Sequence, residues 1–204
     1  MTRPSGSAAA AGGRVRSGQT VFLDRDGTIN VKAPPGQYVT SSAALVLIPG
    51  SAAAIARLNA AGVRVVLVTN QRWLSGPAAD PAGYARVHAR LEELLAAAGA
   101  HLDAAYYCPH DRGRCGCRKP GTGMLTRAAR VHRFSLAAAV MIGDSETDVA
   151  AGQAAGTATI LLRPGRQPVP GGAGLGDAGS GDADFVADDL AGAVQLILSD
   201  RAGS

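Results

Sequence analysis

Thr20-Val21-Phe22-Leu23-Asp24-Arg25-Asp26-Gly27-Thr28-Ile29-Asn30 runs from a short apolar stretch directly into two carboxylates, separated by one arginine and followed by glycine. A brief apolar run that stops at a turn signal reads as a strand buried on both faces, here delivering a carboxylate at its end. The pattern recurs down the chain. Val63-Arg64-Val65-Val66-Leu67-Val68-Thr69 is rich in β-branched residues and reads as a second strand. Ala104 to Cys108 reads as a third, Ala138 to Asp144 as a fourth, Thr157 to Leu162 as a fifth, and Asp184-Phe185-Val186 as a short sixth. Between them lie helical stretches: Ser51 to Ala61, Pro81 to about Ala98 behind an Asp80 cap, Thr122 to His132, Glu146 to Ala155, and Asp188 to Leu198. Alternating strands and helices predict an α/β fold, a doubly wound and mainly parallel sheet (Rossmann-like) covered on both faces. In such sheets ligands sit beyond the carboxyl ends of the strands, where Asp24, Thr69 and Asp144 fall.

The chain has 204 residues, 47% hydrophobic and 18% charged, enough for one packed domain and too few for two well-filled cores. Residues 1–18, with no apolar stretch for a secretory signal, read as a flexible leader, and 19–200 as the folded domain. Residues 164–182 hold seven Gly and three Pro and read as a surface loop. The net charge of +4 is modest and the arginines are scattered, which argues against a nucleic-acid partner. No apolar run approaches the ~20 residues of a membrane span. A monomer in the cytoplasm is the expectation. All but two of the 20 basic residues are arginine, so Lys32 and Lys119 stand out.

Four constellations carry chemistry. Asp24 and Asp26, two residues apart at a strand end, suit covalent attack by one carboxylate and proton transfer by the other. Two acids so close call for a hard cation with oxygen ligands, most simply Mg²⁺. A calcium loop is excluded because Gly27 comes too early and the twelfth position is Pro35. Val140-Met141-Ile142-Gly143-Asp144-Ser145-Glu146-Thr147-Asp148 places Asp144 where it can share that cation. Asp148, four residues on, reads either as a metal residue or as an acid favoured by a helix N-terminus. Thr69-Asn70-Gln71 brings a hydroxyl and two amides to the same edge, as donors for phosphoryl oxygens. Arg118-Lys119-Pro120 offers charge for a phosphate.

A fifth, Cys108-Pro109-His110 followed by Cys115-Gly116-Cys117, contains every cysteine of the chain. Three thiols and an imidazole with no open position describe a structural zinc site. The bunching also suits a reducing compartment better than a disulfide framework.

Taken together, and in this order, the first four motifs resemble those of the haloacid dehalogenase superfamily in its aspartyl-phosphatase form, over roughly residues 20–162. The resemblance implies Asp24 as nucleophile and Asp26 as general acid/base, with Thr69 and Lys119 holding the transferring phosphoryl group. It implies Mg²⁺ on Asp24, the Asp26 carbonyl and Asp144, supported by Asp148. The spacings Asp24–Thr69 and Thr69–Lys119 leave no room for a separate cap domain. With its zinc loop over residues 106–120, the chain is also similar to the phosphatases of D-glycero-D-manno-heptose 1,7-bisphosphate, which serve nucleotide-activated heptose biosynthesis. That likeness implies a phosphorylated-sugar substrate losing its 7-phosphate, with Tyr38, Asn70, Gln71 and Arg118 at the substrate. Ala33-Pro34-Pro35, Arg72-Trp73-Leu74 and the short stretch between His110 and Cys115 depart from the heptose pattern, and all touch the substrate side. Histidinol phosphate is the alternative substrate and a DNA 3′-phosphate a more distant one. A catalytically dead, zinc-stabilised binding protein is the reading from another class.

Overall fold

The computed structural model describes residues 20–77, 79–165 and 183–202. The expected leader lies outside them, as does the expected Gly/Pro-rich loop beyond residue 165. Six strands form one parallel sheet: β1 (Thr20–Leu23), β2 (Arg64–Asn70), β3 (Ala104–Cys108), β4 (Ala139–Gly143), β5 (Ala158–Leu162) and β6 (Phe185–Ala187), in the order β3-β2-β1-β4-β5-β6. Five helices cover it: α1 (Ser51–Ala60), α2 (Pro81–Ala96), α3 (Gly123–His132), α4 (Glu146–Ala155) and α5 (Leu190–Ala202).

Side chains alternate across the sheet, so each central strand feeds two cores. Val21 and Leu23 of β1 join Val65, Leu67, Val140 and Ile142 under α1, α2 and α5, whose Ile55, Leu58, Leu91, Leu95, Val194 and Ile197 are all buried. Phe22 points the other way, with Val66, Val68 and Met141 against Met124, Leu125 and Ala128 of α3. Burial on both faces is why these strands read as continuous apolar runs. Each fully buried Val, Leu, Ile or Phe contributes about 1.5–3 kcal/mol, so the centre of the sheet is a firm platform.

The order of strands reverses between β1 and β4, which makes the crevice beyond their carboxyl ends the topological switch point. Register sets the two acids there: Leu23 pairs with Ile142, and the Asp24 amide donates to the Ile142 carbonyl at 3.0 Å. Two carboxylates thus leave neighbouring strands side by side.

Local signals fixed most boundaries. Asp80 accepts from the Gly83 amide at 2.7 Å, capping α2 behind Pro81. α5 starts at Leu190 rather than Asp188, because Asp189 is the residue that accepts from the Gly192 amide, at 2.8 Å. Three short 3₁₀ turns, Ser42–Ala44, Arg72–Ser75 and Leu136–Ala138, interrupt segments that read as loop. At three or four residues they are too short to leave a periodic pattern.

Candidate active site

The carboxylates of Asp24, Asp144 and Asp148 converge so that one oxygen of each lies within 4.8 Å of the others. Gly27 makes room for this. Its φ of +93° is a left-handed value that L-residues avoid, and a Cβ there would collide with the Asp144 carboxylate. Gly143 does the same for Asp148, whose carboxylate occupies the space a Cβ would need. Both glycines are required by the close approach of a carboxylate.

Lys119 sits at the centre, 2% exposed. Its Nζ donates to Asp24 Oδ1 at 2.8 Å and to the Val68 carbonyl at 2.7 Å, and lies 2.6 Å from Asp148 Oδ1. The contacts to Asp24 and Val68 are hydrogen bonds, while that to Asp148 is an ion pair whose Oδ1 has no hydrogen-bond partner. Loss of solvent opposes the charge, yet Asp24 and Asp148 outweigh it and hold the lysine above its ordinary pKa. Burial pushes Asp24 the other way, up to about 7, against the pull of Lys119. Asp148 turns its second oxygen to the Ser145 amide at 3.2 Å and the Ser145 hydroxyl at 2.6 Å. It is both the acid at the start of α4 and a wall of the site, so the two readings of this residue hold together.

The same three carboxylates are the hard oxygen donors a small divalent cation takes. Asp144 Oδ1 is buried without a hydrogen-bond partner, an acceptor whose burial is costly unless a cation meets it. Its Oδ2 accepts from Lys32 at 2.7 Å. Lys32 is exposed and reaches in from the loop after β1.

Asp26 lies outside that cluster, consistent with a part for its carbonyl rather than its side chain in metal binding. Its carboxylate is held from below. Asn30 Nδ2 donates to Oδ1 at 2.9 Å, Gln71 Nε2 to Oδ2 at 3.0 Å, and the Arg25 guanidinium reaches both oxygens at 3.1–3.3 Å. Arg25 was not singled out in the sequence, and it is 1% exposed.

Two expected substrate contacts take other roles. Gln71 is fully buried. Its Nε2 also donates to Thr69 Oγ1 at 2.8 Å, while its Oε1 accepts from Trp73 Nε1 at 2.7 Å and Arg25 Nη2 at 3.3 Å. Every donor and acceptor of this amide is used inside the protein, so it does not serve a phosphoryl oxygen directly. What it does is leave the Thr69 hydroxyl proton free to donate. Asn70 clamps the Lys119 backbone, donating to its carbonyl at 3.0 Å and accepting from its amide at 3.1 Å. It positions the lysine rather than facing a ligand with its amide. Tyr38 stands 40% exposed on the loop after β1. Arg118 donates to the His110 carbonyl at 3.4 Å. Arg72 pairs with Asp111 at 2.9 Å, tying the turn after β2 to the loop after β3.

Cys108, His110, Cys115 and Cys117 form a second cluster. Sulfur–sulfur distances are 3.2–3.5 Å, and His110 Nδ1 lies 3.6 Å from Cys108 Sγ and 3.3 Å from Cys117 Sγ. Tetrahedral zinc with Zn–S of about 2.3 Å would need edges of about 3.8 Å, so these donors fit that ion after a slight expansion. Burial pushes the Cys108 thiol up to about 12, while Cys115, despite burial, is drawn down to about 6 by hydrogen bonds from Cys117 and the Arg118 amide. Thiols crowded this way resist common ionisation, and a dication would relieve them. Cys117 precedes Lys119 by two residues, so the cluster anchors the segment that carries this lysine.

A HAD-hydrolase-like family model matches residues 116–193. The chain is 42% identical over 201 residues to the D-glycero-D-manno-heptose-1,7-bisphosphate 7-phosphatase of Thermosynechococcus vestitus, covering 88% of this chain and 95% of the relative. It is 36% identical to the D-glycero-beta-D-manno-heptose-1,7-bisphosphate 7-phosphatase of Bordetella bronchiseptica, covering 88% and 98%. A crystal structure of the B. bronchiseptica D,D-heptose 1,7-bisphosphate phosphatase, complexed with magnesium and phosphate, superposes with a TM-score of 0.77 at 34% identity, covering 89% and 99%.

Proposed function

The chain belongs to the HAD-like phosphatases, in the group of the D-glycero-D-manno-heptose-1,7-bisphosphate 7-phosphatases, and from that premise we propose a Mg²⁺-dependent phosphomonoesterase that removes the 7-phosphate of a heptose bisphosphate. The observation that carries the chemistry is the convergence of Asp24, Asp144 and Asp148 around the buried Lys119 at the switch point of the sheet. A Mg²⁺ ion held by Asp24, the Asp26 carbonyl and Asp144, with Asp148 beside them, supplies charge compensation for the phosphoryl oxygens.

In this reading the Asp24 carboxylate attacks phosphorus, the bond to the sugar oxygen breaks, and Asp26 gives its proton to that leaving oxygen. Asp26 then takes a proton from water, whose oxygen attacks the aspartyl phosphate and releases inorganic phosphate and free Asp24. The Thr69 hydroxyl donates to the phosphoryl group, and Lys119 balances the charge that moves between Asp24 and phosphate. Zinc on Cys108, His110, Cys115 and Cys117 holds the loop that carries Arg118 and Lys119. Residues 19–200 are proposed to act as one domain, since the assigned metal and phosphoryl groups gather at the carboxyl ends of one sheet. Cysteines kept for zinc suit the cytoplasm.

Arg118, and Tyr38 on the facing loop, are the groups proposed to meet the sugar and its distal phosphate, an arginine fork being suited to a phosphate. Histidinol phosphate brings an ammonium and an imidazole, which such a rim does not match. A side-by-side assay should give heptose 1,7-bisphosphate at least a ~10-fold advantage in kcat/KM over histidinol phosphate, about 1.4 kcal/mol in transition-state stabilisation. Arg118→Ala should narrow that gap. A preference for histidinol phosphate would overturn the substrate assignment.

A further inference from the structure

A guanidinium buried against the Asp26 carboxylate is an expensive way to fill space. Arg25 is 1% exposed, and its Nη1 is buried without a hydrogen-bond partner. An apolar side chain of similar volume would stabilise such a position as well or better. Most of the rest of the guanidinium is directed at Asp26: Nε and Nη2 reach its Oδ1 at 3.3 and 3.2 Å, and Nη2 reaches Oδ2 at 3.1 Å.

We propose that Arg25 is a positioning residue for the proton transfers made by Asp26, with Gln71 as its partner on the far side of the same carboxylate. The inference rests on the phosphatase reading above. Gln71 admits only one amide orientation. Trp73 Nε1 and Arg25 are pure donors to its oxygen, at 2.7 and 3.3 Å, and the Asp26 carboxylate and the Thr69 hydroxyl oxygen receive its nitrogen, at 3.0 and 2.8 Å. Arg25, fixed by Gln71, thereby fixes Asp26 through two oxygens, while Asn30 holds Oδ1 from the next turn at 2.9 Å. Arg25 Nη2 also reaches the Val39 carbonyl at 3.4 Å, linking this carboxylate to the loop that carries Lys32 and Tyr38. The geometry is that of a carboxylate whose orientation is fixed by three side chains, as a general acid/base requires.

The distinguishing readout is leaving-group dependence. An unactivated sugar or alkyl phosphate needs its departing oxygen protonated. An aryl phosphate with an acidic phenol leaves as the anion and does not, and kcat/KM reports the step up to that departure. Arg25→Gln should lower kcat/KM for heptose 1,7-bisphosphate and glycerol phosphate by about 30- to 100-fold, and for 4-nitrophenyl phosphate by less than about 3-fold. In an Asp26→Asn background, Arg25→Gln should add less than about 2-fold on the alkyl esters, because the group it positions is already gone. Arg25→Lys keeps the charge without the fork and serves if the glutamine variant fails to fold. It should show the same selective loss at about 10-fold. Equal losses on alkyl and aryl esters, or losses that multiply with Asp26→Asn, would overturn the assignment and leave Arg25 a folding residue. Failure of the phosphatase reading is seen separately, as a wild-type chain inactive on every ester.

Discussion

Lys119→Met removes one positive charge from between two acids and leaves the stem in place. In the wild type Nζ lies 2.8 Å from Asp24 Oδ1 and 2.6 Å from Asp148 Oδ1, all within a pocket where the lysine side chain is 1% exposed. Breaking a buried ion pair by deleting one partner costs about 3–5 kcal/mol, because the remaining charge keeps its desolvation penalty without its compensation. For a chain of this size that is a fall in Tm of about 6–20 °C. Two conditions should modulate it. Asp24 is raised from 3.8 to about 7 by burial, so the folded protein holds this proton more tightly than the unfolded chain. Its contribution to stability is fully present below pH 3.8 and is lost as the pH rises through about 7. Without Lys119 the proton is held to still higher pH, so the variant's deficit should grow by about 1.4 kcal/mol between pH 6 and 8. Saturating Mg²⁺ should shrink the deficit in both buffers, since the cation binds the same acids. Calorimetric scans of both proteins at pH 6 and 8, with and without Mg²⁺, test this. A fall under about 2 °C, or a deficit indifferent to both pH and Mg²⁺, would refute the view that Lys119 compensates these carboxylates.

Two further outcomes follow from the same geometry. Wild-type protein should carry one Zn²⁺ per chain by elemental analysis, and Cys115→Ser should lower kcat by about 10- to 100-fold while leaving Mg²⁺ affinity by calorimetry nearly unchanged; active protein free of zinc would end that idea. Gly27→Ala should weaken Mg²⁺ binding at least ~10-fold and cost about 1–2 kcal/mol of stability in backbone strain alone, because its Cβ meets the Asp144 carboxylate; unchanged Mg²⁺ titrations would show that Asp144 has room to move.

What the sequence revealed was set by burial. β1, β2 and β4 were legible because both their faces lie in core, so Val21 to Leu23 and Val65 to Val68 are apolar without interruption. Asp24 and Asp144 were legible because each ends such a run. The cysteine cluster needed only counting. Arg25 was not legible, since arginine is the default basic residue of this chain and nothing local marks one as buried. The clue was its setting, a lone cation wedged between two acids ahead of Gly27. Gln71 and Asn70 were assigned to the ligand because their residue types suit it. The partners that draw them from the ligand, Asp26 and Arg25 for Gln71 and Lys119 for Asn70, lie 45 to 49 positions away, a separation that spacing along the chain does not encode.

The charges explain why the site needs its metal. Asp24, Asp26, Asp144 and Asp148 bring four carboxyl groups to one crevice, and among the described residues Arg25 and Lys119 are the two buried cations beside them. Arg25 is committed to Asp26 and Lys119 to Asp24 and Asp148. Of the two acids whose Oδ1 is buried without a hydrogen-bond partner, Asp148 has Lys119 at 2.6 Å and Asp144 has no buried cation, so Asp144 is where a divalent cation would add the missing charge. Lys32 meets the other oxygen of that carboxylate at 2.7 Å from an exposed position, with 57% of its side chain accessible, where an ion pair holds weakly. A divalent cation can therefore displace it.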